Sequence, residues 1–338
     1  MDTPRPDSSL VAQLSEHALA YLHSAALRTA ARIGVADHLA DGPRTPEQLA
    51  GPLGVSGPHL RRVLRLLATR RIFREDAEGA FHLTPAAELL RSDVPSSMRR
   101  GVLMLTDELF WTPAGRLEDT VRAGRTTFED LYGAPYFDHL ARTPDAAESF
   151  HTGMASVSDG DDAATCAAYD FPATGTVVDV GGGRGGLLRR VLLDNPGLTG
   201  VLYDRADVLR DHGLGIPELA GRWRTEPGDF FSSVPAGADV YLLKRILHDW
   251  TDEECLTILR GCRAAMKEGG TLLVVDTVVA PGNEPSYAKV LDLLMMASLN
   301  GRERGEEDFR RLFEGAGLEL TGIRPTDSSL SIVAATAV

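Results

Sequence analysis

Lysine is nearly missing from this chain, three residues against 32 arginines, a bias that points to a GC-rich coding sequence and not to a function. Cysteine is equally scarce. Cys166, Cys255 and Cys262 form no CxxC pair and no even-numbered framework, which excludes a disulfide scaffold and a structural zinc site. No cluster of His, Cys and carboxylates has ligand spacing, so no metal is expected. Residues 1–30 lack the basic-then-apolar run of a secretory leader, and no apolar stretch approaches membrane-spanning length. A cytoplasmic protein with no membrane partner is therefore expected. Net positive charge is absent as well. The formal charge is −13, and residues 1–100 hold 13 Arg against 11 acidic residues, so the excess negative charge belongs to the remainder. Such a surface repels nucleic acid, which requires phosphate-neutralising cations.

What is present is an ordinary globular mixture, 43% hydrophobic and 25% charged, on a chain whose 338 residues suit two domains. The expected division is 1–100, a connector and active-site roof over 101–165, and 166–338. Leu14, Ala18, Tyr21, Leu22, Ala25 and Ala26 recur at helical spacing within the first ~30 residues. Thr45-Pro-Glu-Gln48 reads as a capping box opening a helix that ends near Gly54. Ser56 starts another, carrying Leu60, Val63, Leu64 and Leu67. Arg71–Arg74, a turn at Asp76–Gly79 and Phe81–Leu83 follow as a small hairpin. Helix, turn, helix and hairpin make a winged-helix-like arrangement. Its Arg61, Arg62, Arg65, Arg70 and Arg71 suit either a DNA-reading helix or a dimerisation module with solvated or partner-paired arginines. The acidic remainder favours the second.

After Phe171-Pro172 the rhythm becomes strand and helix in alternation: strands at 176–180, 199–203, 240–244 and 271–276, helices at 187–193 and 252–266. A last hairpin is expected from 318–323 and 330–335. Such alternation implies a mainly parallel sheet covered on both faces, with ligands beyond the carboxyl ends of its strands. There the first strand runs into Val178-Asp-Val-Gly-Gly-Gly-Arg-Gly-Gly186, a loop suited to close ligand approach. Gly181, Gly183 and Gly186 even satisfy the dinucleotide fingerprint G-x-G-x-x-G. Asp204, at the end of the second strand, is placed to grip ribose hydroxyls. This pair leaves NAD and S-adenosylmethionine both open. Asp179, an acid inside the strand where dinucleotide folds keep apolar residues, favours the second, although a cap for the loop amides would use the same carboxylate.

Four motifs in order, Asp179-Val-Gly-Gly-Gly183, Pro227-Gly-Asp-Phe-Phe231, Leu243-Lys-Arg-Ile-Leu-His-Asp-Trp250 and Gly301-Arg-Glu-Arg304, resemble the plant-caffeate-type family of small-molecule O-methyltransferases and its bacterial antibiotic-pathway members. The resemblance implies an α/β architecture: a Rossmann-like catalytic domain whose mostly parallel sheet ends in an antiparallel hairpin, and a helical, winged-helix-like N-terminal domain that dimerises the chain. It implies S-adenosylmethionine as cofactor, held by Asp179, Gly181, Gly183, Asp204, Gly228, Asp229, Phe230, Lys244, Arg245 and Ser158, with Asp229 on the adenine amino group and Lys244 beside the adenosine. Met154, Trp250, Met295, Met296 and Asn300 would line the acceptor pocket. Glu303 would orient His248, and Asp276 would flank it, shorter than the Glu that plant members usually carry there.

His248 supports the same chemistry independently. It lies in the short loop between the 240–244 strand and the Thr251…Glu254 capping box, where the ligand is expected. A phenol ionises near ~10, so a hydroxyl acceptor needs a base within hydrogen-bond reach, and imidazole titrates in the useful range. The expected function is methyl transfer to a hydroxyl of a small aromatic secondary metabolite. The alternatives are transfer to nitrogen or carbon, a non-methylating relative that hydroxylates or rearranges, and a DNA-binding regulator.

Overall fold

The computed structural model describes residues 8–338. By internal packing the chain divides into two units, one running to Asp107 and including Thr152–Ser156, the other made of Glu108–His151 and Val157–Val338. The 101–165 segment is shared between them, most of it in the second unit.

In the first unit the helix expected over the first ~30 residues is two, Ser8–Ala18 and Tyr21–Ile33. The first seven residues of that expectation lie outside the described residues. The helix Pro46–Leu53 opens on the expected box: Gln48 N donates to Thr45 Oγ1 at 3.3 Å and Thr45 N to Gln48 Oε1 at 2.8 Å. It stops at Gly54, whose φ of +66° suits only glycine without strain. Gly57–Thr69 follows, burying Leu60, Leu64 and Leu67 at helical spacing. The hairpin β1 (Phe73–Glu75) and β2 (Phe81–Leu83) closes this core through Phe73 and Phe81. Three arginines singled out above are committed within the chain. Arg61 pairs with Glu47 at 2.7 Å and Glu75 at 3.3 Å, Arg65 with Glu75 at 2.9 Å, and Arg70 with Glu16.

The second unit is built on seven strands: β3 (Gly175–Val180), β4 (Leu198–Asp204), β5 (Trp223–Pro227), β6 (Val240–Lys244), β7 (Thr271–Asp276), β8 (Leu318–Pro325) and β9 (Ser331–Ala337). Their order is β5-β4-β3-β6-β7-β9-β8, parallel as far as β7 and antiparallel in the terminal hairpin. Inner strands such as Val240–Lys244 and Thr271–Asp276 are apolar runs because both faces are covered. One face packs Val178, Tyr241 and Val274 against the Asp252–Ala265 and Glu306–Gly315 helices. The other packs Val177, Leu242 and Val275 with the Gly186–Asp194 helix. Chain order reverses between β3 and β6, which opens a crevice at their carboxyl ends. The glycine loop, Asp204, the Lys244–Trp250 loop and Asp276 all leave the sheet at that edge. Among the described residues, no helix is long and apolar enough to cross a membrane.

Candidate active site

The glycine loop turns sharply because Gly181, Gly183 and Gly185 take φ values of +69°, +58° and +78°. Its amide at Gly183 donates to Asp204 Oδ2 at 2.8 Å, and Arg205 N donates to Oδ1 at 2.7 Å, so β4 presents a fixed carboxylate to the loop. Burial pushes the Asp204 carboxyl up, against the pull of those two amides. A Cβ on Gly183 would meet nothing within 4 Å, whereas one on Gly182 would sit 2.5 Å from the Asp179 carboxylate. Asp179 is 1% exposed, and neither of its oxygens receives a hydrogen bond of full geometry, the Leu188 amide exerting only a weak pull on the carboxylate. Burial pushes it up to about 7 against the pull of Lys244, with Asp162 and Asp204 adding to the rise. A buried, unsatisfied carboxylate costs free energy unless a cation or donor meets it. The cradle therefore fits a ligand that carries an ammonium group near Asp179 and hydroxyls near Asp204. Farther along, Asp229 accepts from Phe231 N at 2.9 Å and Ser232 Oγ at 3.1 Å, which fixes the turn that carries the half-buried Phe230. Gly228 is required by packing, since a Cβ there would lie 2.2 Å from the Tyr203 hydroxyl.

His248 occupies a single 3-10 turn, Leu247–Asp249, between β6 and the next helix. The Thr251–Glu254 box fixes the far side of that loop, with Glu254 N donating to Thr251 Oγ1 at 3.3 Å and Thr251 N to Glu254 Oε2 at 2.9 Å. From beneath, Arg304 donates to the Leu247 and Trp250 carbonyls at 2.6 and 2.9 Å. Gly301 presses against it so closely that a Cβ would lie 1.9 Å from the His248 carbonyl oxygen. His248 is 7% exposed. Its Nδ1 is 2.8 Å from Glu303 Oε1, and Glu303 is held in turn by the Thr277 hydroxyl at 2.5 Å. The expected orienting pair is thus in contact. Nε2 faces Asp249 Oδ1 at 3.4 Å, a neighbour the sequence reading did not single out, although it adjoins His248 in the chain. Asp276 behaves differently from a hydrogen-bonding flank. Both its oxygens are buried without a partner, and it reaches His248 only through its charge. Burial would lower the imidazole pKa, but Asp249, Asp276 and Glu303 together raise it to about 9.

Lys244 and Arg245 leave β6 side by side and meet two adjacent acids of the long helix Pro144–Ala168. Lys244 pairs with Asp162, and its charge also acts on Asp179. Arg245, grouped above with the cofactor residues, donates from its guanidinium to Asp161 at 2.8 Å. Ser158 lies half-buried one turn before Asp162 on that helix. Met154 falls in the Thr152–Ser156 stretch that groups with the first unit.

Of the residues expected to line an acceptor pocket, Trp250 stacks on Phe137 at 5.5 Å and meets Phe231 edge-on at 4.8 Å. Phe137 meets Phe150 at 6.0 Å, so an aromatic wall runs on from the Phe230–Phe231 pair past the His248 loop. Met295 is buried and Met296 half-buried on the Tyr287–Ser298 helix. Asn300 is exposed and accepts from Thr126 N at 3.3 Å, anchoring a neighbouring loop. The sequence reading missed Asp161, Asp162, Asp249 and Phe137. Only Asp249 had a local signal, its place beside His248.

Comparison with known proteins gives a coherent result. The O-methyltransferase domain family matches residues 115–319, and the O-methyltransferase dimerisation domain matches residues 15–93. The phenazine O-methyltransferase PhzM of Lysobacter antibioticus is 40% identical over 98% of this chain and 96% of its own length. The O-demethylpuromycin-O-methyltransferase of Streptomyces alboniger is 36% identical over 90% of this chain and 82% of its own. Among solved structures, CalO1, a methyltransferase in calicheamicin biosynthesis crystallised in its SAH-bound form, is 45% identical, covers 100% of both chains and superposes with a TM-score of 0.91.

Proposed function

Because this chain belongs to the S-adenosylmethionine-dependent O-methyltransferase family, we propose that it methylates a hydroxyl of a small aromatic metabolite with His248 as general base. The observation that carries the base is the Glu303–His248 contact at Nδ1; Nε2, which has only Asp249 Oδ1 at 3.4 Å before it, is the atom that exchanges a proton with the acceptor. Glu303 is itself immobilised by Thr277, so the ring is held in one orientation. Asp249 and Asp276 stabilise the imidazolium that forms when the acceptor gives up its proton. The cofactor supplies an electrophilic methyl group on a sulfonium sulfur. Its ammonium would meet Asp179, its ribose Asp204, and its adenine Asp229 and Phe230, with the backbone of Gly181 and Gly183 beneath. Proton loss from the acceptor is favoured beside a cation, and the loss of charge during transfer is favoured where water is excluded. Trp250, Phe137 and Met295 supply such walls.

The aromatic wall and the acceptors in the relatives' names, phenazine among them, support a planar aromatic acceptor. The dimerisation domain supports a homodimer. The helix Ser8–Ala18 buries none of its residues, and Leu10, Val11 and Leu14 stand exposed on it, as suits a surface for a second copy. Three free cysteines fit the reducing cytoplasm.

The test is label transfer from methyl-labelled S-adenosylmethionine to a panel of phenols, hydroxy acids and amines, comparing the parent with His248→Ala. Phenol methylation that falls by about two to four orders of magnitude is expected, the scale of a lost general base. Transfer that survives the substitution removes His248 from the chemistry, and transfer only to amines changes the acceptor atom.

A further inference from the structure

The carboxylates around His248 lack a balancing charge among themselves, and Arg245 stands where it can supply one. Glu303 reaches the ring from the loop ahead of the last helix, Asp276 from the end of β7, and Asp249 from the ring's own loop. Arg245 comes from the end of β6, Asp161 from the long helix, and Tyr287 from the start of the Tyr287–Ser298 helix, where its phenol senses Arg245, Asp161 and Glu303. Asp292 on the same helix accepts from Glu303 N at 3.0 Å, and Arg304, paired with Asp252, holds the loop beneath. Beside His248 itself, whose charge pulls more strongly on all three, Arg245 is the cation that acts on Asp249, Asp276 and Glu303 together, and its backbone amide donates to the Val275 carbonyl at 3.1 Å, next to Asp276. It is 9% exposed, its Nε is buried without a partner, and its backbone is held at φ +53°, a strained value for a residue with a side chain.

We propose that the buried Asp161–Arg245 pair is a positioning element of the methyl-transfer site, with Arg245 acting through Asp249, Asp276 and Glu303 as their counter-charge and Asp161 limiting its strength. The pair thereby sets how firmly the site holds the His248 proton. Burial raises Asp249 to about 6 and Asp276 to about 7, and the charges of His248 and, after it, Arg245 work against both rises. Glu303 stays below its ordinary value because, against its burial, the His248 and Thr277 hydrogen bonds and Arg245 all favour the charged form. Removing the Arg245 charge leaves the cluster more negative, so it binds its last proton more tightly. Removing the Asp161 charge leaves Arg245 unopposed and has the reverse effect. The relevance to turnover rests on His248 being the base; the electrostatic effect itself does not.

The experiment titrates the His248 imidazole by NMR in the full chain labelled with 13Cε1 histidine, the resonance being identified by its loss in His248→Gln. Its midpoint is expected to move up by about one pH unit in Arg245→Met, down in Asp161→Asn, and little in Arg245→Lys. General damage to the fold would not produce shifts of opposite sign. If Arg245→Met fails to fold, the downward shift in Asp161→Asn and the unmoved Arg245→Lys carry the test. Midpoints that stay put in folded variants, or move in one direction in both, overturn the proposal. The pH profile of kcat/KM is recorded alongside. Midpoints that shift as expected while the profile does not follow leave the counter-charge standing and remove His248 as base.

Discussion

At the scale of single residues, the site is a problem of too many acids in too little water. Three carboxylates crowd one imidazole, and the consequence is a histidine that holds its proton at neutral pH. A base must be empty to accept a proton, so kcat/KM for a phenol acceptor is expected to rise with pH between about 7 and 9, as His248 passes through its value of about 9. A flat profile over that interval would contradict the assignment. Gly301 offers a second check. Any side chain there collides with the His248 carbonyl, so Gly301→Ala should displace the loop and lower kcat by about two orders of magnitude, the scale of a misplacement of about 1 Å. Cofactor affinity, measured by calorimetry, should change little. His248 and Glu303 were legible in the sequence because their motifs keep a fixed spacing. Asp162 and Asp161 were not, because they meet Lys244 and Arg245 across 82 and 84 residues of chain, and nothing local marks such a pairing.

Among the elements, legibility followed burial pattern. β3, β6 and β7 announce themselves as apolar runs, and the two capping boxes mark helix starts to the residue. β5 escaped notice because Trp223-Arg-Thr-Glu-Pro227 forms the sheet edge, where half-exposed polar residues carry no alternation strong enough to read. The long helix carries no such apolar run: Gly153 and Gly160 fall within it, and its Asp161 and Asp162 are buried acids. Gly153 has a packing reason, since a Cβ there would lie 2.4 Å from the Met104 Cβ. The box at Thr251 ties element stability to the catalytic loop. Thr251→Ala should cost about 1 kcal/mol in denaturant unfolding, by loss of the cap. Turnover should fall with it, because the same box fixes the far side of the His248 loop. Lost stability with unchanged kcat would show that the loop is held by Arg304 and Gly301 alone.

For the whole molecule, the division of labour is between a unit whose family dimerises and a unit that carries the chemistry. Leu10 and Leu14 are 57% and 71% exposed on a helix that buries nothing in its own chain. The double substitution Leu10→Glu, Leu14→Glu should therefore shift sedimentation from dimer toward monomer at micromolar concentration. A variant that still sediments as a dimer would place the contact elsewhere, and a monomeric parent would overturn the dimer. One feature of the second unit also bears on how such chains can diverge. Asp161 and Asp162 are neighbours on a helix, so they point about 100° apart, and each is matched to its own partner at the end of β6. The two pairs act as a keyed coupling that fixes the rotational phase of the helix. A one-residue deletion between Val157 and Asp161 would turn both acids away from their cations at once, and bending of the helix does not absorb such a rotation. Length variation among descendants of this sequence should accordingly be purged from that stretch and tolerated in the exposed 281–285 loop, so that the pattern of gaps, more than the pattern of substitutions, records where the charge lock sits.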